Sequence, residues 1–427
     1  MSLTYNELRD GVAGDVVGVR SRNVLQPLGG EADKIFPPTY SVSDSAETRY
    51  ATESRRTPAG DGYDGSVVPS VVLDSVASQA NRFELALLEA IRRGELHVPV
   101  TSVDFRTVSQ LEGLDRISDY EAPHRIFDAL LRDSYDGEHL FRNGPIGQAI
   151  TDARPRDAAA LFHHSPHTLV FGGWDSTGPR GGLGAKYERA ITSEIVALDV
   201  VQGVKTASRI DPTGVERHAG LLYEAAGGTW TLVQGEAVRD AKGNPKLLGS
   251  DGQASREAGR PSQANLGNVT PSIDRKAGGV TARQIVGTTV LSFIQLRRLR
   301  FPVRVDGSPA DASSRSDSEV AVRTALASLG LAAAVLAFEE GFDLRSRCAL
   351  VTTKPSGFEA ISRGGGVAGF DITSAEALEL VAEAAERANA VGMPWRSEEL
   401  LLRPSDRLTD LIRRSHDLVA HGELDGV

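Results

Sequence analysis

Apolar residues recur every three or four positions at the start of the chain, which predicts an amphipathic helix. The apolar positions are Tyr5, Leu8, Val12, Val16 and Val19. Thr4 and Glu7 have the spacing of a capping box, in which each side chain bonds a backbone N–H of the first turn. We expect the helix to end near the basic residues Arg20 and Arg22.

A strand-to-helix unit follows a polar stretch rich in glycine and proline. The sequence VVPSVVL at 67–73 predicts a short strand, and Asp74 or Ser75 begins a helix. The buried stripe of this helix comprises Val76, Ala80, Phe83, Leu87 and Ile91. Polar side chains cluster near its start, namely Ser78, Gln79, Asn81 and Arg82.

The rest of the chain alternates between the two periodicities. Residues 95–165 have the pattern of an inserted helical segment with loops. Strands are predicted at 191–200, although that segment also suits a helix, at 229–234 and at 348–352. Helices are predicted over about twenty residues ending near Phe338 and from Thr373 to about Ala390.

These units predict an α+β fold. Several strand–helix units separated by long insertions favour a split βαβ core, and a parallel doubly wound sheet is the alternative. The stretch from 235 to Gly279 is rich in Gly, Pro, Ser and Lys. A loop of that length inside a compact domain is usually functional or disordered.

The overall charge argues against a nucleic-acid binder, but its distribution argues for one. The chain of 427 residues has a net charge of −10, with 40% hydrophobic and 24% charged residues. Phosphate contacts require Lys and Arg, and residues 275–304 carry seven basic residues and no acidic one. A locally basic face could therefore hold a polyanion. Alternatively, Arg297, Arg298 and Arg300 simply flank the end of a buried element.

The chain lacks the usual signs of export and of membrane insertion. No run reaches the roughly 18 uninterrupted apolar residues that span a bilayer, and the N-terminus has no apolar signal core. The single cysteine, Cys348, excludes an internal disulfide and a multi-cysteine zinc site. We expect a cytoplasmic protein in which Cys348 fills the core.

The segment HTLVFGGWDSTGPRGGLGAKYER at 167–189 has the strongest chemical signal. An apolar run leads into a loop with glycines at 172, 173, 181, 182 and 184 and with the cations Arg180, Lys186 and Arg189. Glycines let backbone N–H groups approach a ligand, so the loop predicts a polyanion site. The spacing fits neither the P-loop nor the dinucleotide fingerprint. The competing interpretation is a surface loop whose glycines only permit tight turns.

Other candidate chemistry is weaker. His163, His164 and His167 suggest a metal site, but Pro166 disrupts the helix that would align their rings. Candidate magnesium ligands are Asp33, Asp74 and Asp175, although aspartates in such loops more often hold turns. Trp174 beside the loop could stack on a base or belong to the core.

Five blocks of sequence carry a family resemblance. They are LQPLGGEADKIFPPTY, VVLDSVASQANRFELALLEA, HTLVFGGWDSTGPRGGLGAKYERAITSEIVA, GNVTPS followed by GGVT, and TVLSFIQLRRLRFP. Together they resemble the backbone subunit of the CRISPR type I-U (also called I-G) effector complex, a Cas-seven-type member of the RAMP superfamily also designated Csb. The resemblance spans about Leu25 to Leu350.

The resemblance implies a single domain over 1–427 with a ferredoxin-like, RRM-related palm and inserted finger and thumb elements, the thumb near 229–280. It implies a non-catalytic subunit without cofactor or metal, of which many copies assemble head to tail along a guide RNA. The guide pairs with target DNA while the protein grips the RNA backbone. Further partners would be Cas-five-type and Cas-six-type subunits, a large subunit and a separate helicase–nuclease.

The resemblance also implies which residues contact the guide. They are Lys34, Gln79, Asn81, Arg82, Trp174, Ser176, Thr177, Arg180, Gly181, Gly182, Lys186, Arg297, Arg298 and Arg300. Two other functions stay open from the residues: a metal-dependent ribonuclease using Asp33 or Asp175, and a nucleotide-using enzyme.

Overall fold

The computed structural model describes residues 3–43, 45–57, 59–60, 63–108, 111, 113–178, 184–240, 242–250, 257–309, 315–354 and 357–420. The chain divides into two compact units. The first comprises Met1–Ser43, Arg49–Val201 and Val280–Leu408. The second comprises Asp44–Thr48, Gln202–Gly279 and Thr409–Val427.

The described residues combine helices with mostly antiparallel strands, which confirms the predicted α+β class. The helices are α1 Tyr5–Ala13, α2 Val76–Arg92, α3 Ala129–Arg132, α4 Pro145–Asp152, α5 Ala159–His164, α6 Pro166–Phe171, α7 Phe293–Arg298, α8 Arg315–Glu340, α9 Ser374–Ala390 and α10 Asp406–Ala420. The strands are β1 Val16–Pro27, β2 Thr52–Arg56, β3 Ala59–Gly60, β4 Tyr63–Asp64, β5 Val67–Asp74, β6 Thr101–Asp104, β7 Arg116–Ser118, β8 Ser134–Asp136, β9 His139–Leu140, β10 Gly173–Trp174, β11 Lys186–Tyr187, β12 Ile191–Gln202, β13 Lys205–Arg209, β14 Tyr223–Ala225, β15 Thr229–Thr231, β16 Val269–Asp274, β17 Val280–Ser292, β18 Phe342–Asp343, β19 Ala349–Thr352, β20 Phe358–Ser362, β21 Val367–Phe370 and β22 Leu400–Pro404.

The first helix is shorter than its apolar spacing predicts. The capping box of Thr4 and Glu7 is confirmed, but α1 ends at Ala13, and β1 begins at Val16. Val16 and Val19 therefore belong to a strand. They join the sheet because β1 pairs antiparallel with β17 on one side and with β19 and β20 on the other.

The largest sheet has the strand order β18-β19-β1-β17-β12-β5-β2; β20 also pairs with β1, and β21 pairs with β20. The pairs of β1 with β17, of β1 with β19 and of β12 with β5 are antiparallel. The alternative of a parallel doubly wound sheet is therefore wrong. The strand at 67–73, the strand at 191–200 and the α2 helix capped by Ser75 are confirmed.

Helix α8 lies at the centre of the first unit. It contacts α1, α2, α6, α9 and β17, and nearly all of its residues from Ser318 to Phe338 are buried. Among the described residues, this one helix is long and apolar enough to cross a membrane, but 94% of its most apolar window is buried inside the protein. Core helices of soluble proteins pass the same test. Gly330 lets α8 pack closely, since a Cβ there would lie 3.1 Å from Leu291.

A smaller sheet is built mainly from the segment 95–165. Its strand order is β7-β6-β22-β8-β9, and the late strand β22 pairs parallel with β6. The segment also contains α3, α4, α5 and the short 3-10 helices Arg125–Phe127 and Phe141–Asn143. It is thus a mixture of strands and short helices.

The second unit contains two antiparallel strand pairs. Strand β13 pairs with β16, with Lys205 opposite Asp274, and β14 pairs with β15. The strand predicted at 229–234 is present only as β15, Thr229–Thr231. Several large apolar side chains of this unit are exposed, including Ile210, Ile273 and Leu232.

Candidate nucleic-acid interface

The described part of the glycine-rich loop is closed by a two-strand ladder. Strand β10 pairs antiparallel with β11, so that Trp174 lies opposite Lys186 and Gly173 opposite Tyr187. Tyr187 is buried, whereas Lys186 is exposed and Trp174 retains 53% of its accessible surface. The ladder therefore presents an aromatic ring and a cation as cross-strand neighbours. Arg180, Gly181 and Gly182 lie outside the described residues.

Three glycines in the described part of the loop have internal structural roles. Gly172 has a φ of +84°, a conformation that favours glycine. A Cβ on Gly173 would lie 2.7 Å from Thr168. A Cβ on Gly184 would lie 2.8 Å from the carbonyl carbon of Asp175 and closer still to its oxygen. Gly184 thus lets the two sides of the loop approach each other, and Gly173 lets β10 lie close to α6.

Two arginines hold the turn that follows β10. Arg142 donates from Nη2 to Asp175 Oδ1 at 2.6 Å and from Nη1 to the carbonyl oxygen of Thr177 at 2.7 Å. Arg132 donates to the Thr177 hydroxyl at 3.1 Å. Asp175 is 2% exposed, while Ser176 and Thr177 are exposed. The acidic side chain of the loop thus lies inside, paired with a cation.

Lys186 and Arg298 line one cleft of about 340 Å³. Its walls include apolar residues, namely Pro155, Leu169, Ala190 and Leu299, together with the buried Tyr187. Arg298 forms an ion pair with Glu188 at 2.9 Å, and both side chains are about 60% exposed. Such an exposed pair is weak, so the guanidinium can exchange its partner for a phosphate.

Arg297 and Arg300, the neighbours of Arg298 in the chain, do not line this cleft. Arg297 donates four hydrogen bonds to backbone carbonyls of Gly11, Val12, Gly14 and Val16. Burial lowers the pKa of Arg297. Arg300 bonds the nearly buried Glu319 at 2.8 Å, although its own side chain is 59% exposed. Arg297 is therefore a structural residue at the end of α1, as the simpler interpretation of this segment proposed.

The cluster at the start of α2 is also largely internal. Gln79 is completely buried; its Nε2 donates to Asp74 Oδ2 at 2.6 Å, and its Oε1 accepts from Ser193 Oγ at 2.8 Å. Arg82 donates to Asp74 and to the carbonyls of Asp343 and Leu344. We therefore remove Gln79 from the candidate contacts, because its amide is fully buried and bonds Asp74 and Ser193 inside the core. Asn81 is exposed.

Lys34 lies far from the glycine-rich loop in sequence, in the connection that follows β1. It follows β1 at a half-buried position, with Nζ 5.6 Å from the centre of the Phe36 ring. Its preceding residue, Asp33, accepts a hydrogen bond from the Lys34 backbone N–H at 2.8 Å. Asp33 lies in a turn, because its backbone N–H donates to the Gly30 carbonyl oxygen at 3.2 Å.

A buried polar network lies at the start of α6. Asp119 accepts from the Thr101 backbone N–H at 3.1 Å and from Ser165 Oγ at 3.3 Å, and His167 Nε2 is 3.7 Å away. Burial raises the pKa of Asp119 to about 7 and lowers that of His167 well below its usual value. Ser165, His167 and Asp119 are fully buried, so the set has no access to a substrate.

The remaining histidines do not gather metal ligands. His163 contacts the Pro394 carbonyl oxygen at 2.8 Å through Nδ1. Burial lowers the pKa of His164 to about 3. In the part of the chain that the structure describes, no group of three or more His, Cys, Asp or Glu residues could hold a metal ion.

Sequence reasoning missed Arg132 and Arg142. Both lie in the segment 95–165, and Arg142 is 35 residues before Thr177 in the chain. A second missed residue pair lies nearby: the buried Arg125 forms a bidentate ion pair with Glu84 at 2.6 and 2.7 Å and donates to the Gly172 carbonyl at 3.1 Å. Burial raises the pKa of Glu84 to about 7, while Arg125 opposes that shift.

One comparison with known protein families finds a match. Residues 19–202, which are less than half of the chain, match the family described as CRISPR-associated protein GSU0053. The matched segment includes most of β1, the α2 unit and the whole glycine-rich loop. No curated protein sequence matches the chain.

Proposed function

We propose that this chain is a guide-RNA-binding backbone subunit of a CRISPR effector complex, of the Cas-seven type in type I-U (I-G) systems. The match to a CRISPR-associated family supports a role in CRISPR defence. The observation that carries the RNA-binding role is the exposed pair of Trp174 and Lys186, with Arg298 at the same cleft as Lys186. An aromatic ring can stack on any base, and the two cations can contact successive phosphates.

The strand order supports the ferredoxin-like palm. Strand β1, helix α2, strands β12 and β17, helix α8 and strand β19 follow one another as β-α-β-β-α-β, with further elements inserted between them. In the sheet, β1 lies between β17 and β19, and β12 lies beyond β17. The main segment of the second unit, Gln202–Gly279, is inserted in the chain between β12 and β17. We retain the prediction that a thumb forms within 229–280.

The proposed subunit is non-catalytic. Two of the three candidate magnesium ligands have internal partners, since Asp74 bonds Gln79 and Arg82, and Asp175 bonds Arg142. A carboxylate held by a guanidinium is a poor ligand for a metal ion. We propose that target DNA is recognised by pairing with the guide and cut by a separate helicase–nuclease. The other proposed partners are further copies of this chain and the remaining Cascade subunits in the cytoplasm.

The test is a titration of the purified protein with single-stranded RNAs of increasing length at several salt concentrations. We expect the mass of the complex to rise in steps of one 45.5 kDa chain as the RNA lengthens. The logarithm of the binding constant should fall linearly as the logarithm of the salt concentration rises. A protein that binds no RNA, alone or with its partner subunits, would refute the proposal.

The double variant Lys186→Ala/Arg298→Ala locates the binding face. If both side chains contact phosphates, the variant weakens binding and lowers the salt slope by about 0.7 for each lost contact. The matched control is Arg92→Ala/Arg93→Ala, which removes two exposed cations at the other end of α2 from Asn81. Equal losses in both variants would show that net charge, rather than this face, determines affinity.

A further inference from the structure

The turn that carries Ser176 and Thr177 depends on side chains from a distant segment. Arg142 donates three hydrogen bonds to it, to Asp175 Oδ1, the Thr177 carbonyl and, at 3.2 Å, the Thr177 hydroxyl. Arg132 donates a fourth, to the same hydroxyl. The segment 95–165, from which both arginines come, so far contributes only Pro155 to the wall of the cleft.

We propose that Arg142, assisted by Arg132, is a positioning residue for guide RNA: it fixes the turn 175–178 so that Ser176, Thr177 and the Trp174–Lys186 pair face the ligand in one geometry. This inference rests on the proposed function. In this proposal, the segment 95–165 stabilises the RNA-binding loop through the hydrogen bonds of these two arginines.

The contacts distinguish these arginines from residues that touch RNA directly. Arg142 is 21% exposed, and both of its terminal nitrogens donate to acceptors of the protein. Arg132 also pairs with Asp133 at 2.7 Å, and Asp133 in turn accepts from Arg407 at 2.5 Å. Their cations are therefore committed to internal partners. Lys186, by contrast, is exposed on β11.

Asp175 makes the arrangement sensitive to the loss of Arg142. Its carboxylate is 2% exposed, and Arg142 is the cation beside it at 2.6 Å. Without that cation, the buried carboxylate of Asp175 has no ion-pair partner in the turn that is proposed to face RNA phosphates. The turn must then open to hydrate Asp175, which disorders the residues that face the ligand.

The first experiment needs no RNA. Amide hydrogen exchange of 175–178 and 184–186 is measured in the full chain for Arg142→Ala and for a control, Arg116→Ala. Arg116 belongs to the same segment and pairs with Asp104 and Glu399, away from the loop. We expect faster exchange at these amides in Arg142→Ala alone. Unchanged exchange would overturn the inference whether or not the protein binds RNA.

The second experiment measures the affinity for single-stranded RNA and its salt slope. We expect Arg142→Ala to bind roughly tenfold more weakly, because binding must then order residues that are fixed in the parent protein. The salt slope should stay unchanged, since Arg142 contacts no phosphate. A lower slope would instead make Arg142 a direct phosphate contact and overturn its positioning role.

Two further variants separate positioning from simple loss of folding. Asp175→Asn in the Arg142→Ala background removes the unpaired charge, so we expect part of the affinity to return. If Arg142→Ala does not fold, Thr177→Val removes the hydroxyl that accepts from both arginines and should speed exchange in the same turn. Normal exchange and affinity in Thr177→Val, or no rescue by Asp175→Asn, would count against the inference. If Lys186→Ala weakens binding while Arg142→Ala does not, the RNA-binding role survives and the positioning role fails.

Discussion

Replacing Gly184 by alanine tests whether the close approach of the two loop sides sets the geometry of the candidate interface. A Cβ on Gly184 would lie 2.8 Å from the carbonyl carbon and 3.1 Å from the Cβ of Asp175. Ordinary contacts begin at 3.4 Å, so the carbonyl carbon must move by about 0.6 Å, the difference between 3.4 and 2.8 Å, and its oxygen by more. The obstacle is backbone, which cannot rotate away as a flexible side chain would.

The energetic effect follows from the contacts that this movement strains. Overpacking of this kind costs about 1–3 kcal/mol. Asp175 also donates from its backbone N–H to the Ala185 carbonyl at 3.2 Å and accepts from the Gly178 N–H at 3.3 Å. Each such hydrogen bond contributes about 0.5–1.5 kcal/mol. Since the loop can open locally, we expect the free energy of global unfolding to fall by only about 2 kcal/mol.

Urea denaturation and an RNA titration at fixed salt measure the two consequences. Gly364→Ala is the matched control, because no heavy atom lies within 4 Å of a Cβ there and its φ is not positive. We expect Gly364→Ala to stay within about 0.5 kcal/mol of the parent protein. Gly184→Ala should lose stability and, if the proposed function holds, RNA affinity. Parent-like values for Gly184→Ala in both assays would refute the assigned role of Gly184.

Two predictions concern buried ionisable groups: Asp119, and the ion pair of Glu84 and Arg125. Burial raises the pKa of Asp119 from 3.8 to about 7, so the folded protein keeps a proton that the unfolded chain releases, and this contribution to stability is lost as pH rises from about 4 to about 7. The difference in unfolding free energy between Asp119→Asn and the parent should therefore shift by about 4 kcal/mol in favour of the variant across that window, and stay constant at higher pH. Parallel curves of unfolding free energy against pH would contradict this. His167, whose pKa is lowered, acts in the opposite direction in both proteins. Arg125→Ala should lower the free energy of unfolding by about 3–5 kcal/mol, because Glu84, 2% exposed, is left unpaired; adding Glu84→Gln should recover part of the loss, and a double variant as unstable as the single one would contradict the reasoning.

The local patterns predicted elements well where one periodicity dominates. The α2 helix with its Ser75 cap, the helix predicted from Thr373 to about Ala390 and the strands predicted at 67–73 and 191–200 agree with the structure. The predicted end of α1 was wrong because Val16 and Val19 satisfy a helical spacing although they belong to a strand. Their place in β1 is decided by pairing with β17, some 270 residues later, which no local pattern records.

The candidate site shows the same limit. Trp174 and Lys186 could be predicted from the loop, because glycine and basic residues surround them in sequence. Gln79 could not be excluded, since its partner Ser193 comes from a strand more than a hundred residues away. Arg142 could not be found, because its acceptors in the loop are 33 and 35 residues away and no spacing rule links them.

The location of the charges reconciles an acidic chain with the proposed polyanion ligand. Arg82 and Arg297 donate to internal acceptors, so their charges contribute little to a binding surface. Asp175, the acidic residue within the turn, faces inward against Arg142, which removes a repulsion that would otherwise oppose phosphate. Lys186 and Arg298 remain at one cleft, where the weak partner Glu188 is the acid that a phosphate must displace. A net charge of −10 therefore describes the whole surface, whereas binding depends on which few charges this fold leaves at the loop.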